Sequence, residues 1–302
     1  MRSGFRYPMT LAALAAGLAL LPSLSGGYAV GVGLSILGWI AMAQSWVVLS
    51  GMAGYISLGH VVFYGIGAYA TVLCFGSLPL WLIVPLAGLS AAAFAALVGY
   101  PVLRVRGPYF VMLTYGVAEL VKYIVVNVEG ALNKFGRLLM GAPDLDTLYY
   151  AMLGLAFAGC LITWAVRCSR FGYGLRAIRE DESAAETMGV PVARYKLYAY
   201  VLSAAIPGMV GAVLALRTTY FEPLQAFTPA ISFTTVTMAI IGGSDDARGP
   251  IVGALFLGLL SEVLWVNAPE TYMILLGLAL IGFVLLAPAG ICGWLPRLRS
   301  AA

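Results

Sequence analysis

The chain has 302 residues, of which 62% are hydrophobic and only 10% charged, with mean hydropathy +0.95. Soluble globular chains carry about 25% charged residues, so this composition defines an integral membrane protein. A net charge of +4, from 17 basic and 13 acidic residues, leaves no basic face for phosphates and excludes a nucleic-acid module; the same numbers exclude a disordered or collagen-like chain.

A bilayer core requires about 20 apolar residues per helix. Ten such runs occur in chain order, near 9–25, 29–50, 56–75, 81–103, 108–126, 148–166, 197–217, 229–243, 249–267 and 272–287. The first reads either as a retained span or as a cleaved signal peptide, because Arg2 and Arg6 precede a short apolar stretch that ends at Pro22. The eighth is short and starts at Pro229, so it reads either as a tilted span or as a broken, re-entrant helix enclosed by its neighbours.

Lysine and arginine are enriched in cytoplasmic loops. With the N-terminus inside, 13 of the 17 basic residues fall on one face, among them Arg104, Arg106, Arg167, Arg170, Arg176, Arg179, Arg194, Lys196 and Arg248. The opposite face keeps Lys134, Arg137 and Arg217. Both termini are therefore predicted cytoplasmic, which agrees with an even number of spans. Cys74, Cys160, Cys168 and Cys292 stand singly in or beside apolar runs and read as packing residues, with no disulfide framework or metal site among them. Many of the 36 glycines lie within the spans, as expected of helices that pack through close backbone contact. The six tryptophans fall mostly near predicted span ends, where aromatic belts sit.

Segment 167–196 is the one long polar stretch on the basic side. Leu175, Ile178, Ala185 and Met188 recur at helical spacing between Arg176, Arg179, Glu180, Asp181, Glu182 and Glu186, which predicts a short amphipathic helix over 175–188. Gly189 and Pro191 should stop it. Its balanced charge suits a protein groove better than anionic lipid, which favours Lys and Arg; a solvated connector on the membrane surface is the other reading.

Phe171 to Ala215 resembles the signature of permease subunits of branched-chain amino acid ABC importers, the LivM-type family. GYISLGHVVFYGIGAYATVL from Gly54, RGPYFVMLTYGVAELVK from Arg106 and GGSDDARGPIVGA from Gly242 are similar to further blocks of that family, in the same order. The resemblance implies an all-α polytopic permease, one transmembrane domain over 1–302 with a cytoplasmic coupling loop at 167–196, in a bacterial inner membrane. It implies that this chain binds no cofactor and catalyses no reaction, and that ATP and Mg belong to two partner ATPase subunits; no GxxxxGK[ST] loop occurs in the sequence. A second homologous permease and a solute-binding protein would complete the assembly, surrounded by membrane lipid. Glu182, Ala185 and Gly189 look like the residues such permeases insert into the ATPase, and Arg176, Arg179 and Met188 accompany them as coupling candidates.

For the translocation path the candidates are Ser57, Gly59, His60 and Gly65 on one glycine-rich segment and Thr234, Thr235 and Thr237 on another, because paths run near the midplane beside interrupted helices. Ordinary helix packing accounts for the same residues, and His60 has no ligand-spaced partner for a metal. Glu119 and Lys122, three apart on one helix, read as a mutually satisfied intramembrane pair or as part of the path; Glu262 should find a Ser, Thr or Tyr elsewhere in the bundle. Val47, Tyr55 and Ser232-Phe233-Thr234 depart from residues common in relatives, the last replacing an acid by a hydroxyl. An amino acid is therefore the expected solute, with an aromatic or organic carboxylate, an amide or urea as competitors. A self-sufficient secondary transporter or channel would need more intramembrane charge than the chain contains.

Overall fold

The computed structural model describes residues 6–132, 136–139, 141–218, 220–244, 247–268, 271, 274, 277–278, 281–282 and 290–292. Helices α1 (Arg6–Ala19) and α2 (Leu21–Leu24) are followed by α3 (Gly27–Trp46), which continues through one π-helical turn, Val47–Gly51. Then come α4 (His60–Cys74), α5 (Leu80–Val102), α6 (Pro108–Ala131), α7 (Leu145–Cys168), α8 (Arg170–Glu180), α9 (Glu182–Thr187) and α10 (Val192–Arg217). The series ends with α11 (Pro223–Ala226), α12 (Pro229–Gly242) and α13 (Gly249–Asn267). Among the described residues the only strands are β1 (Arg137–Leu138) and β2 (Tyr220–Phe221), an antiparallel pair in which Arg137 faces Phe221. Among the described residues, eight helical stretches are long and apolar enough to cross a membrane. The first nine runs expected from sequence correspond to helices here; most of the tenth, 272–287, lies outside the described residues.

α3 and α10 are the most enclosed long helices. α10 packs along α4 and α5, and α3 along α7 and α13. The sequence permits this because small residues line the contacts. A Cβ on Gly67 would stand 2.0 Å from the Gly208 carbonyl oxygen, and one on Gly211 2.1 Å from that of Tyr64. Gly208 in turn abuts Ala91 and the Ala87 carbonyl. α4, α5 and α10 thus meet at main-chain distance, the arrangement lipid-embedded helices use when no hydrophobic drive separates protein from solvent.

The two ends of the bundle differ. At one, Arg179 Nη1 donates to the Gly51 carbonyl (2.6 Å), Tyr7 Oη to that of Ala247 (3.1 Å) and Gln44 Nε2 to the same oxygen (2.8 Å). Gly290 lies against Gly243 in the same region. The beginning of the described chain, the polar segment of α8 and α9, and residue 290 therefore share this arginine-rich end. At the opposite end β1 pairs with β2, Arg137 meets Glu129 at 3.0 Å and Arg217 Nη1 donates to Ser35 Oγ at 2.6 Å.

α4 and α12 have only 15 and 14 residues. At 1.5 Å per residue each reaches about 20 Å, short of a hydrocarbon core of about 30 Å. The run expected from 56 begins as a helix only at His60, because residues 54–59 lead into it without helical structure. Trp46 Nε1 donates to the Ser57 carbonyl (2.9 Å), and Leu58 N to Thr114 Oγ1 (3.2 Å), fixing this stretch inside the bundle. Trp46 is accordingly a buried clamp and not part of a surface belt. α12 also begins inside: Val61 N donates to Ser232 Oγ (3.0 Å), and the Phe227 ring covers Gly65. The first turns of α4 and α12 lie side by side while the helices run toward opposite ends.

Valine at 211 should dislodge α4 from α10. Overfilling a packed contact costs about 1–3 kcal/mol and here the obstacle is main chain, so Gly211→Val is expected to lower the detergent-solubilised Tm by about 5 °C or more. Gly154→Val, with open space around it, should leave Tm unchanged. Equal Tm values for the two variants would contradict the close helix contact.

Candidate functional site

The polar segment at the arginine-rich end is built from two short helices. Ser169 starts α8 by accepting Gly172 N at 3.1 Å, and Leu175 and Ile178 turn inward while charged neighbours face out. The single helix expected over 175–188 is broken at Asp181, whose backbone is extended (φ −155°, ψ 113°). The break has a local cause: the Asp181 carboxylate accepts Ser183 N (2.8 Å) and Ala184 N (3.0 Å), making it the N-cap of α9. Gly189, at φ +84°, then ends α9 as expected. Its N–H reaches the Glu186 carbonyl (3.0 Å) while Val190 N reaches that of Ala185 (3.0 Å), a Schellman turn, and Pro191 follows.

Glu182, the first residue of α9, is directed into the protein. Its Oε1 receives Lys196 Nζ at 2.5 Å. Its Oε2 receives the Tyr55 hydroxyl at 2.8 Å and stands 3.0 Å from Arg106 Nε. Lys196 Nζ also donates to Tyr55 Oη (3.0 Å) and to the Leu103 carbonyl (3.2 Å), so a buried ammonium has its three protons used. One carboxylate thereby joins α9 to the end of α5, the α5–α6 link, the stretch leading into α4 and the first turns of α10. Burial alone would raise the Glu182 carboxyl; hydrogen bonds from Lys196 and Tyr55, with the charges of Lys196 and Arg106, overcome it and hold the group below the usual carboxylate range.

Of the expected coupling residues, Ala185 is also buried, packed with Leu175, Ile178 and Val192. Of Glu182, Ala185 and Gly189, which the resemblance directs into an ATPase, the first two turn toward the bundle in this chain and only Gly189 is exposed. Arg176 Nη2 caps the Arg167 carbonyl (2.9 Å) and stacks over Tyr173, and Arg179 holds Gly51. Met188, 85% exposed, is the apolar tip of a knob otherwise covered by Glu180, Asp181, Ser183 and Glu186.

The expected path residues do not converge on one site. Ser57 is buried and its Oγ accepts Gly59 N at 3.2 Å. His60 is fully buried, with neither ring nitrogen hydrogen-bonded and Phe63 edge-on. Thr235 is buried and donates to the Ile231 carbonyl (2.8 Å). Thr234 and Thr237 lie on another side of α12, in a cavity of about 240 Å3 shared with Ser35, Trp39 and Glu262. The Glu119–Lys122 ion pair is present, and Glu262 receives the Tyr28 hydroxyl. Tyr55, Arg106 and Lys196 were not singled out by sequence as partners of Glu182; they come from three separated chain segments, and no local spacing marks them.

Apolar crossing helices with one ordered polar knob at the arginine-rich end define a multi-pass α-helical membrane protein. The chain belongs to the family described as branched-chain amino acid transport system / permease component, whose family model matches residues 28–284. It is 29% identical over 278 residues to the high-affinity branched-chain amino acid transport system permease protein LivM of Escherichia coli, covering 81% of this chain. Against LivM of Salmonella typhimurium identity is 30% over the same share, and the chain spans 65% of the length of either LivM relative. The guanosine ABC transporter permease protein NupP of Bacillus subtilis is 23% identical over 60% of this chain and 57% of its own. No solved structure matches the chain.

Removing the Glu182 carboxylate strands a buried ammonium. Breaking a buried pair costs about 3 kcal/mol, so in Glu182→Ala hydrogen exchange of amides 170–190 should quicken about 100-fold, and Lys196→Met in the same background should recover much of the loss. The carboxyl is held below its unfolded value of about 4.3, so its contribution is present above that pH and is lost as pH falls through the lowered folded value. The Tm difference between wild type and Glu182→Gln should accordingly close only below about pH 4. A difference that closes near neutrality would place the working carboxylate elsewhere.

Proposed function

We propose that this chain is the permease subunit of an ATP-driven importer, working beside a second permease of the same family. The arginine-rich end faces the cytoplasm, as the distribution of lysine and arginine favours. Two ATPase subunits carry ATP and Mg and receive the α8–α9 knob, and a solute-binding protein delivers the solute at the opposite end. The observation that carries this reading is the Glu182 network: a knob pinned through the Glu182–Lys196 pair to four chain segments moves those segments together when a partner pushes it.

The solute class is small and polar. A branched-chain amino acid is favoured by the names of the LivM relatives, while the guanosine permease among the relatives supports a wider range within the same transport design. Ser232 stands where relatives often carry the start of an acid-containing triplet, yet its hydroxyl is engaged by Val61 N, so it anchors α4 instead of gripping solute. Selection at high affinity belongs to the solute-binding protein, and the path itself is mildly polar and weakly selective.

Met188 is the cleaner probe of coupling than Gly189, since any side chain at φ +84° strains the turn. In vesicles containing both permeases, both ATPases and the solute-binding protein, ATP should drive leucine uptake. Met188→Glu places a charge in the apolar contact and should cut uptake about tenfold or more without changing the Tm of the permease. Full uptake by this variant would contradict docking through the knob, and uptake without ATP would overturn the importer reading.

A further inference from the structure

The outward face of α6 differs from the membrane-facing surface elsewhere on the bundle. α5 presents Leu82, Leu86, Leu89 and Leu97, with Trp81 at its beginning, a plain lipid-facing set. α6 exposes Leu113, Leu120, Ile124 and Val128 in the same way, but adds Tyr109, Met112, Tyr115, Gly116 and Tyr123 to them. Between them, about 17 Å from Pro108 along a 24-residue helix, sits Glu119, paired with Lys122. The Glu119 side chain keeps 24% of its surface open, and Lys122 keeps 11%.

An ionisable group turned to hydrocarbon at mid-depth is costly, and such groups face a protein interior or a water-filled cavity. A carboxylate with a quarter of its side chain open in the middle of α6 is therefore misplaced against lipid. Gly116 adds an independent mark. Nothing lies within 4 Å of where its Cβ would be, so no helix of this chain approaches it, unlike Gly67 or Gly211. A glycine with no close neighbour leaves a shallow trough on the exposed surface. Tyr115 meets Phe233 (ring centroids 6.4 Å apart), which joins the trough to α12. Toward the arginine-rich end it opens at Met112 into a cavity of about 560 Å3 that also contains Tyr55, Arg106, Arg179 and Glu182.

We propose that the outward face of α6 from Met112 to Tyr123 is a wall of the aqueous path for a small polar solute, which leaves through the cavity beside Glu182. The opposite wall comes from the second permease. This rests on the importer reading and replaces residues 57–65, which are mostly packed inside the bundle, as the location of the path. It also places the exit next to the network that holds the knob, so one movement of α9 reaches both.

The test uses the assembled importer with Cys74, Cys160, Cys168 and Cys292 replaced by alanine. Single substitutions Gly116→Cys and Tyr123→Cys are compared with Leu89→Cys and Leu97→Cys on α5, using a membrane-impermeant cationic methanethiosulfonate, with and without ATP. A thiol reacts as its thiolate, which requires water, so the α6 positions should label about tenfold or more faster than those on α5 in at least one nucleotide state. Labelling of α6 no faster than α5 in every state overturns the proposal. ATP-driven uptake by the cysteine-free assembly is measured separately: uptake with an unlabelled α6 removes the wall alone, whereas absent uptake with a labelled α6 removes the importer reading and leaves a water-facing α6.

Discussion

The arrangement of the arginine-rich end depends on one requirement, that the ammonium of Lys196 be paired. An isolated buried charge is costly enough that a partner has to be supplied. Glu182 supplies it, and because a carboxylate has two oxygens with several lone pairs it can take Tyr55 and Arg106 as well. Those residues come from three separate segments: the stretch before α4, the α5–α6 link and the first turns of α10. The polar segment is therefore no loose connector lying on a membrane surface; it is fastened to the bundle through the least dispensable interaction at that end, and Arg179 on the Gly51 carbonyl adds a second fastening.

Deeper in the bundle the governing term is contact between main chains. Lipid tails are as apolar as leucine, so association gains little from apolar bulk and much from proximity. Gly67, Gly208 and Gly211 draw α4, α5 and α10 together, and that core supports two helices too short to cross the bilayer alone, α4 and α12, whose starts lie inside the bundle. Their orphan N-terminal groups are met partly by side chains, as when Ser232 accepts Val61 N. Side-chain packing and hydrogen bonding thus substitute for the water such helix starts would find in a soluble protein.

Much of the fold was legible in the sequence, since apolar run length is a strong signal in a membrane chain. The boundaries of α5, α10 and α13 fall within a few residues of the apolar runs, and Gly189 before Pro191 announces the end of α9. The start of α4 was not legible, because the apolar run reads on through SLGH and the non-helical geometry of 54–59 is fixed by Trp46 and Thr114 from other helices. The split at Asp181 was hidden for a different reason. Asp serves equally as a solvated helix residue or as a cap, and only the local backbone decides which. The Glu182 network was illegible altogether: its members have no sequence-local relation, and the pattern that drew attention to Glu182 assigned it an outward role. On α6 the sequence disclosed the Glu119–Lys122 pair but not which side of the helix stays open.

The Asp181 break separates two tasks that a continuous helix would have combined. Residues facing inward, Glu182 and Ala185, secure the knob to the bundle, while Ser183, Glu186, Thr187 and Met188 form a tip that touches nothing the fold depends on. A tip of this kind can change its surface without loosening its mounting. In the importer proposed above, mating specificity between permease and motor subunits could therefore diverge over a handful of positions, so that duplicated transport systems in one cell become insulated from each other while their membrane domains stay nearly the same.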